Sequence, residues 1–353
     1  MHPALLVRLR PTGPWRFGPG SGAPDEAGEL YHSDALYSAV TQAMASLGEL
    51  DPWLDATARA AREPAVRFSS CFPCLGETLF IVPPRSLWPP PPSAKVRWKG
   101  ARFVPLSLVR SLVAGERLDE EAWRVDPQSR CLLPSRPVDS TGPFRTAVRA
   151  LAPVDRLGRT SWTARRTGCV EFSPEGGLWM VVSFAGEQAR QQWWAAVEAA
   201  LRLLADSGFG GKRSVGWGRA EMPEITTGTI PELLLAGPAA PDDTPPGEEA
   251  ASGANETPET AFWLLSLFSP GERDQVDWGR GSYTLITRSG RVESTAGWGR
   301  EKKALRMVAE GSVLFAQSEP QGAAVDVAPD GFPHPVFRYG CPVSIPIPAR
   351  EAA

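Results

Sequence analysis

Apolar residues recur at helical spacing from Gln188 to Leu204. Trp193 or Trp194, Val197, Leu201 and Leu204 fall on one side, the stripe of a helix with one buried face. Just upstream, Leu178-Trp-Met-Val-Val-Ser-Phe184 is a short unbroken apolar run, the mark of a core strand. The same two signals open the chain. Ala4 to Arg10 reads as a strand, and Leu36, Val40, Met44 and Leu47 form one stripe of a helix from about Asp34 to Leu47, with Ser33 and Asp34 as N-cap candidates. Asp51 to Arg62 predicts a second, short helix. Val66–Phe72 and Thr78–Val82 predict a strand pair across a turn, and Ser107–Ala114 another short helix. A closing strand is predicted around Arg219–Met222. The order is strand, helix, strands, strand, helix, strand, which is the βαββαβ pattern of a ferredoxin-like unit.

The link between the long helix and the closing strand is unusual. Gly208, Gly210, Gly211, Gly216 and Gly218 crowd into it, together with the cations Lys212, Arg213 and Arg219 and the hydroxyl of Ser214. Glycines at this density let the backbone take positive φ and approach a partner closely. Bared amides beside cations can hold a phosphodiester. The loop matches neither nucleotide fingerprint: Gly211-Lys212 is followed by Arg213 rather than Ser or Thr, and the loop closes a helix instead of opening one. The alternative is a plain helix-to-strand connection with Trp217 packed beside it.

Beyond this unit the patterning weakens. The polyproline run Pro89–Pro92 must be a surface connection, and Lys95-Val-Arg-Trp-Lys99 is a basic patch around an aromatic residue. From Arg130 to Arg166 eight arginines face two aspartates with little periodicity, which predicts an irregular insertion with a hairpin. From Gly237 to Thr260 there are six acidic residues and no Lys or Arg, among Pro, Gly and Ala, which predicts a disordered linker. Short apolar runs then resume at Phe262–Phe268, Tyr283–Thr287, Gly311–Phe315 and Val343–Ile347, for a second, β-rich version of the unit. The expected division is 1–236, with an insertion at about 85–170, then the linker 237–260, then 261–353.

Composition narrows the function. A chain of 353 residues can hold two domains. Its net charge of −3 announces no polyanion partner, so the local arginine excess carries the electrostatic argument. Thirteen tryptophans serve either as core or as stacking platforms. Cys71-Phe-Pro-Cys74 lacks the further ligands a zinc site needs, and buried thiols are expected instead. No long apolar run is present, so a soluble cytoplasmic protein without membrane contact is expected. No paired carboxylates, nucleophile triad or metal cluster stands out, and neither a cofactor nor a metal is expected.

Several short motifs resemble one family. They are Ser33-Asp-Ala-Leu-Tyr-Ser38, Phe68-Ser-Ser-Cys-Phe-Pro73, Val154-Asp-Arg-Leu157, the glycine loop, Gly311-Ser-Val313 and His334-Pro-Val-Phe-Arg-Tyr-Gly340. Together they resemble RAMP-superfamily CRISPR proteins, in particular the subunit of type III-A (Csm) complexes that caps the 5′ end of crRNA. The resemblance implies an α+β fold of two ferredoxin-like, RRM-related domains with a projecting thumb-like β-hairpin. It also implies a non-catalytic subunit that binds the 5′ repeat handle. Its partners would be the large signalling subunit and the backbone RAMP subunit, with target RNA met indirectly. The RNA-binding candidates are Arg16, His32, Ser33, Arg145, Arg149, Arg156, Arg159, Arg165, Arg166, Gly210, Gly211, Lys212, Arg213, Ser214, Trp217 and Arg219. Two rivals are a metal-independent RAMP endoribonuclease acting through His32, and the equivalent subunit of a Cmr-type complex.

Overall fold

A computed structural model describes residues 2–18, 22–59, 63–90, 98–137, 140–151, 165–235, 260–293 and 299–349. The sequence candidates Arg156 and Arg159, the Val154–Leu157 motif and almost all of the acidic linker lie outside them.

The strands of the first unit are β1 (Pro3–Leu9), β2 (Val66–Phe68), β3 (Phe72–Leu75), β4 (Thr78–Ile81), β5 (Val104–Pro105), β6 (Trp123–Val125), β7 (Leu132–Pro134), β8 (Phe144–Leu151), β9 (Arg165–Phe172), β10 (Gly176–Phe184) and β11 (Glu224–Thr229). Its helices are α1 (Ser33–Ser46), α2 (Leu50–Leu54, continued by a π-helical turn Asp55–Arg59), α3 (Leu106–Ala114) and α4 (Glu187–Ser207). The main sheet runs β11-β1-β10-β3-β4-β5, with β2 also pairing β10, and all its pairings are antiparallel. β1 lies between β11 and β10, so the first strand is central although it comes first in sequence. That order interleaves two β-α-β halves, as the ferredoxin-like pattern requires.

Every residue of β10 is buried, which explains its unbroken apolar run. α4 buries Trp193, Val197, Ala200, Leu201 and Leu204. Trp193 meets Trp53 of α2 edge to face at 5.4 Å, and the Trp53 indole N–H donates to Thr41 at 3.0 Å. Trp15, Trp53, Trp98, Trp179 and Trp263 are all fully buried, so these tryptophans are core. Each contributes on the order of 1.5–3 kcal/mol of apolar burial.

The insertion is more ordered than its composition suggests. β5 extends the main sheet, β6–β7 form one hairpin, and β8–β9 form a second, the predicted thumb. Trp15 clamps the thumb's base through backbone bonds with Val170 of 2.9 and 2.8 Å. Gly168 lets the chain pass Glu26 closely, since a Cβ there would stand 2.4 Å from its carbonyl carbon.

The second unit contains β12 (Thr260–Leu264), β13 (Val276–Ser282), β14 (Leu285–Arg288), β15 (Leu305–Val308), β16 (Val313–Ala316), β17 (Ala324–Asp326), β18 (Phe337–Tyr339) and β19 (Ser344–Ile347). They make a four-stranded antiparallel sheet β13-β16-β12-β19 and the pairs β14–β15 and β17–β18. It is β-rich as predicted, with no helix among its described residues.

The two units share one core. Trp263, Val313, Tyr339 and Ile345 belong to the same buried cluster as the first unit, while Leu264, Phe268, Val308 and Leu314 form a small separate one on the second unit. Tyr37 of α1 stacks on Tyr339 at 4.0 Å and 8°, and the Tyr339 hydroxyl donates to the Val66 carbonyl at 2.7 Å. All five cysteines are buried and free, and burial pushes the Cys74 thiol up to about 12. No described helix is long and apolar enough to cross a membrane.

Candidate nucleic-acid interface

The glycine loop is a closed structure before it is a binding surface. Gly208 ends α4 at φ +100, and the Phe209 N–H donates to Gly218 O at 2.9 Å, drawing the two ends of the loop together. The Gly211 N–H donates to Arg16 O at 3.0 Å, so that amide is spent inside the protein. Gly210 has φ +72, and a Cβ there would sit 2.5 Å from the Arg16 carbonyl. Between the glycines, Lys212 takes φ +65 and a short 3-10 turn covers Arg213–Val215, so the cationic tip projects. Lys212, Ser214 and Arg219 are exposed.

Beside the loop lies a cleft of about 300 Å³ between the two units. Its walls come from the 16–18 segment, the first turns of α1, the glycine loop and the second unit. Five cations, Arg16, Arg213, Arg288, Lys302 and Arg338, line it against two carboxylates, Asp34 and Glu293. The Asp34 carboxylate is buried and accepts from Arg288 Nε at 3.1 Å and Nη2 at 2.9 Å, and from Arg338 Nη1. These guanidiniums outweigh the cost of burial and hold Asp34 well below the usual carboxylate range. Burial, aided by repulsion from Arg338, lowers the Lys302 ammonium from its ordinary value. The Arg338 Nε is buried without a partner, one donor short of satisfaction on the cleft wall.

Behind this cluster runs a second polar seam. His32 Nδ1 lies 2.8 Å from the buried Glu310, which also takes the Ser70 hydroxyl. His32 holds the Glu310 carboxylate below its ordinary value against the opposing effect of burial. The Ser33 N–H donates to Ser70 Oγ at 2.8 Å, and Ser33 Oγ accepts from the Leu267 N–H at 3.0 Å. Gly311 passes so close to the first unit that a Cβ would meet Val82 Cγ1 at 2.5 Å.

The predicted site residues therefore fall into separate roles. Arg16, Gly210, Gly211 and Arg213 come together at the cleft, and Lys212 stands on its rim. Arg16 is also a clamp, because its Nη1 donates to Pro24 O at 2.9 Å and Gly168 O at 2.7 Å. Arg213 pairs with Glu293 and donates to Gln42 Oε1 at 3.3 Å. Ser33 is neither a helix cap nor an exposed contact. It is buried, and its hydroxyl is taken by the second unit. Trp217 is buried too, which removes it as a stacking platform. His32 lines the cleft but is held by Glu310. On the thumb, Arg145 and Arg149 both bond Glu171, at 2.9 and 2.7 Å. The 130–166 charge window ends before that carboxylate, so the local excess is smaller than the sequence suggests. Arg165 and Arg166 are exposed at the far end of β9.

Sequence reasoning missed Arg288, Lys302 and Glu310, and it quoted Arg338 only inside a motif. Glu310 directly precedes the quoted Gly311-Ser-Val313, the one signal that could have pointed to it.

Residues 257–347 match the family model described as the CRISPR Csm4 C-terminal domain. The match falls on the second unit. Among solved structures, one chain of the crystal structure of the Csm3-Csm4 subcomplex in the type III-A CRISPR-Cas interference complex is similar at a TM-score of 0.62 and 15% identity, covering 98% of this chain and 100% of that one. A chain of the Csm1-Csm4 cassette in complex with cA4 is similar at 0.55 and 16% identity, covering 99% of each. Another, of the cassette in complex with pppApA, reaches 0.51 at 15% identity, again over 99% of each. No curated protein matches the chain. The likeness in fold to these chains spans both units.

Proposed function

We propose that this chain is the Csm4-type subunit of a type III-A CRISPR complex. In this reading it binds the 5′ repeat handle of crRNA without catalysing a reaction, and it joins the large signalling subunit to the backbone subunit. The Csm4 C-terminal domain and the Csm4-type fold over nearly the whole chain support the assignment. The solved relatives pair Csm4 with Csm3 and with Csm1, the two partners proposed here.

The observation that carries the RNA reading is the cleft, where the glycine-loop tip meets an excess of cations. A phosphate chain crossing the rim would meet Lys212 first, with the exposed Arg219 at the end of the loop adding charge, while the inner guanidiniums, already tied to Asp34, shape the potential rather than move. Arg165 and Arg166 of the thumb add charge at a distance. Such contacts position a strand without reading its sequence.

The test uses the Lys212→Ala/Arg219→Ala double variant and RNA carrying the handle. Both side chains are exposed, so the melting temperature should hold. Two lost contacts of about 1 kcal/mol each imply roughly a tenfold or greater loss of affinity. The salt slope should also fall by about 0.7 per contact. Unchanged affinity in the folded variant overturns the reading.

A repeat-cleaving endoribonuclease is the second reading, favoured by a His–carboxylate pair on the cleft wall. Labelled repeat RNA decides between them: metal-independent cleavage lost in His32→Ala would replace the non-catalytic assignment.

A further inference from the structure

A second cavity of about 660 Å³ lies where the β4 exit meets the insertion. Arg85, Trp88, Lys99, Arg102 and Arg130 line it, and no carboxylate among the described residues does. Glu29, outside the wall, takes two of these cations, Arg102 at 2.8 Å and Arg130 at 3.5 Å. Arg85 and Lys99 are exposed and have no ion pair among the described residues.

The aromatic member is held in place. The Trp88 ring lies parallel to Trp98, with centroids 5.4 Å apart and 3° between planes, and Trp98 is fully buried. One face of Trp88 is therefore covered by a fixed partner, and the half-buried indole also lines the cavity. Arg130 is held in an unusual backbone conformation for a side-chain-bearing residue, φ +58. Its N–H donates to Asp126 O at 2.9 Å, and its carbonyl accepts from Arg102 at 2.8 Å and Phe103 at 3.2 Å. Glycine or asparagine suits that conformation better, yet a cation stands there, on the cavity wall. Strain of this kind clusters at functional sites.

We propose that this cavity is a nucleotide subsite, taking one unpaired nucleotide with its base on Trp88 and its phosphate among Arg85, Lys99 and Arg130. A flat ring beside several cations suits a ligand that is itself a flat ring carrying negative charge. An acyl chain would leave the cations idle, and an acidic peptide would leave the indole idle. Among the described residues the remaining lining of Val82, Pro83, Pro89 and Ala101 has no polar side chain, so the base is held by stacking on Trp88.

Its position suggests the source of the nucleotide. Glu29 is followed at once by Leu30, Tyr31 and His32, which line the interdomain cleft. The Arg85 N–H donates to Gly311 O at 2.9 Å, next to the Glu310 that holds His32. The two cavities thus adjoin one seam, and an RNA strand leaving the cleft reaches the second. That choice of source rests on the RNA reading above, whereas the ligand chemistry does not. A free mononucleotide offers the same chemistry.

The experiment measures binding of an unstructured single-stranded RNA lacking the handle, and separately of AMP, by the full chain. The variants are Arg85→Ala/Lys99→Ala, Trp88→Leu and Trp88→Phe. The paired alanine variant alters only exposed side chains, so it should keep its melting temperature while RNA binding weakens about tenfold and the salt slope drops by roughly 1.4. Trp88→Leu should weaken binding as well, and Trp88→Phe, which keeps a ring, should recover most of it. Photo-crosslinked 4-thiouridine RNA should map to the segment around Trp88. Unchanged RNA binding in the alanine variant, or no difference between Trp88→Phe and Trp88→Leu, overturns the subsite. AMP binding as tightly as the RNA overturns the strand as source. Lys212→Ala/Arg219→Ala is the control for the other reading: if it binds handle RNA normally while these variants fail, the cleft is wrong and the subsite stands.

Discussion

Asp34→Asn should be among the costliest single-atom changes available to this fold. The side chain keeps its shape, but the one negative charge between Arg288 and Arg338 disappears. The Asp34 side chain is 1% exposed, and those of Arg288 and Arg338 are 15% and 7% exposed, so water cannot take over. Lys302, already lowered by burial and by Arg338, loses its attraction to Asp34 as well. Removing one partner from a buried ion cluster costs about 3–5 kcal/mol, because the remaining charges stay desolvated without compensation. At about 2.1 cal/mol/K of unfolding entropy per residue, a chain of 353 residues loses about 1.3 °C of melting temperature per kcal/mol, so a drop of about 4–7 °C is expected. The assay is urea unfolding followed by circular dichroism, comparing midpoints and slopes. Arg213→Ala is the internal control. Its pair with Glu293 also joins the two units, but the side chains are 30% and 41% exposed, and a loss within about 1 kcal/mol is expected. If Asp34→Asn also falls within about 1 kcal/mol of the parent, the cluster behaves like a surface pair. The interface would then be held by its apolar contacts, Tyr37 on Tyr339 foremost, and the electrostatic account fails.

Two further expectations concern the glycine loop and acid. Gly210→Ala should destabilise by about 2 kcal/mol or more, since φ is +72 and the new Cβ would stand 2.5 Å from Arg16 O. Gly216→Asn should be nearly neutral, because φ is +83 but nothing lies within 4 Å and Asn tolerates that conformation. Equal melting temperatures for the two variants would contradict this. Asp34 and Glu310 are both held below their ordinary values of 3.8 and 4.5, so the stability they contribute is present above that range and lost as pH falls through the lower folded-state values. Stability measured from pH 7 to pH 3 should therefore fall on the acid side, and Asp34→Asn should flatten the fall. An unchanged slope in that variant would show that Asp34 contributes no acid sensitivity.

The periodic elements were readable from the chain because burial of one face leaves a repeat of its own. α4 and β10 begin and end within a few residues of their apolar patterns, and the thumb was legible as a hairpin in an arginine-rich insertion. The glycine loop was legible too, since Gly208, Gly210, Gly216 and Gly218 all take positive φ, which glycine adopts most readily. What the sequence could not show is which charges meet. Asp34 looked like a helix cap, and Arg288, Lys302 and Glu310 like ordinary polar residues, for nothing in their spacing places them within hydrogen-bond reach of the first helix. The same holds for Glu171, which quiets Arg145 and Arg149 from the opposite strand, and for Glu29, which joins Arg102 and Arg130. Ser33, Gly311 and Arg338 stood out as motif residues, and Ser33 as an RNA-binding candidate. In the folded chain Ser33 and Gly311 stitch the two units together, while Arg338 both ties the second unit to Asp34 and lines the cleft. Local pattern follows from each element's own burial, whereas ion pairs and shared cores depend on contacts between residues distant in sequence, from 22 positions for Arg149 and Glu171 to 304 for Asp34 and Arg338, which only the tertiary fold decides.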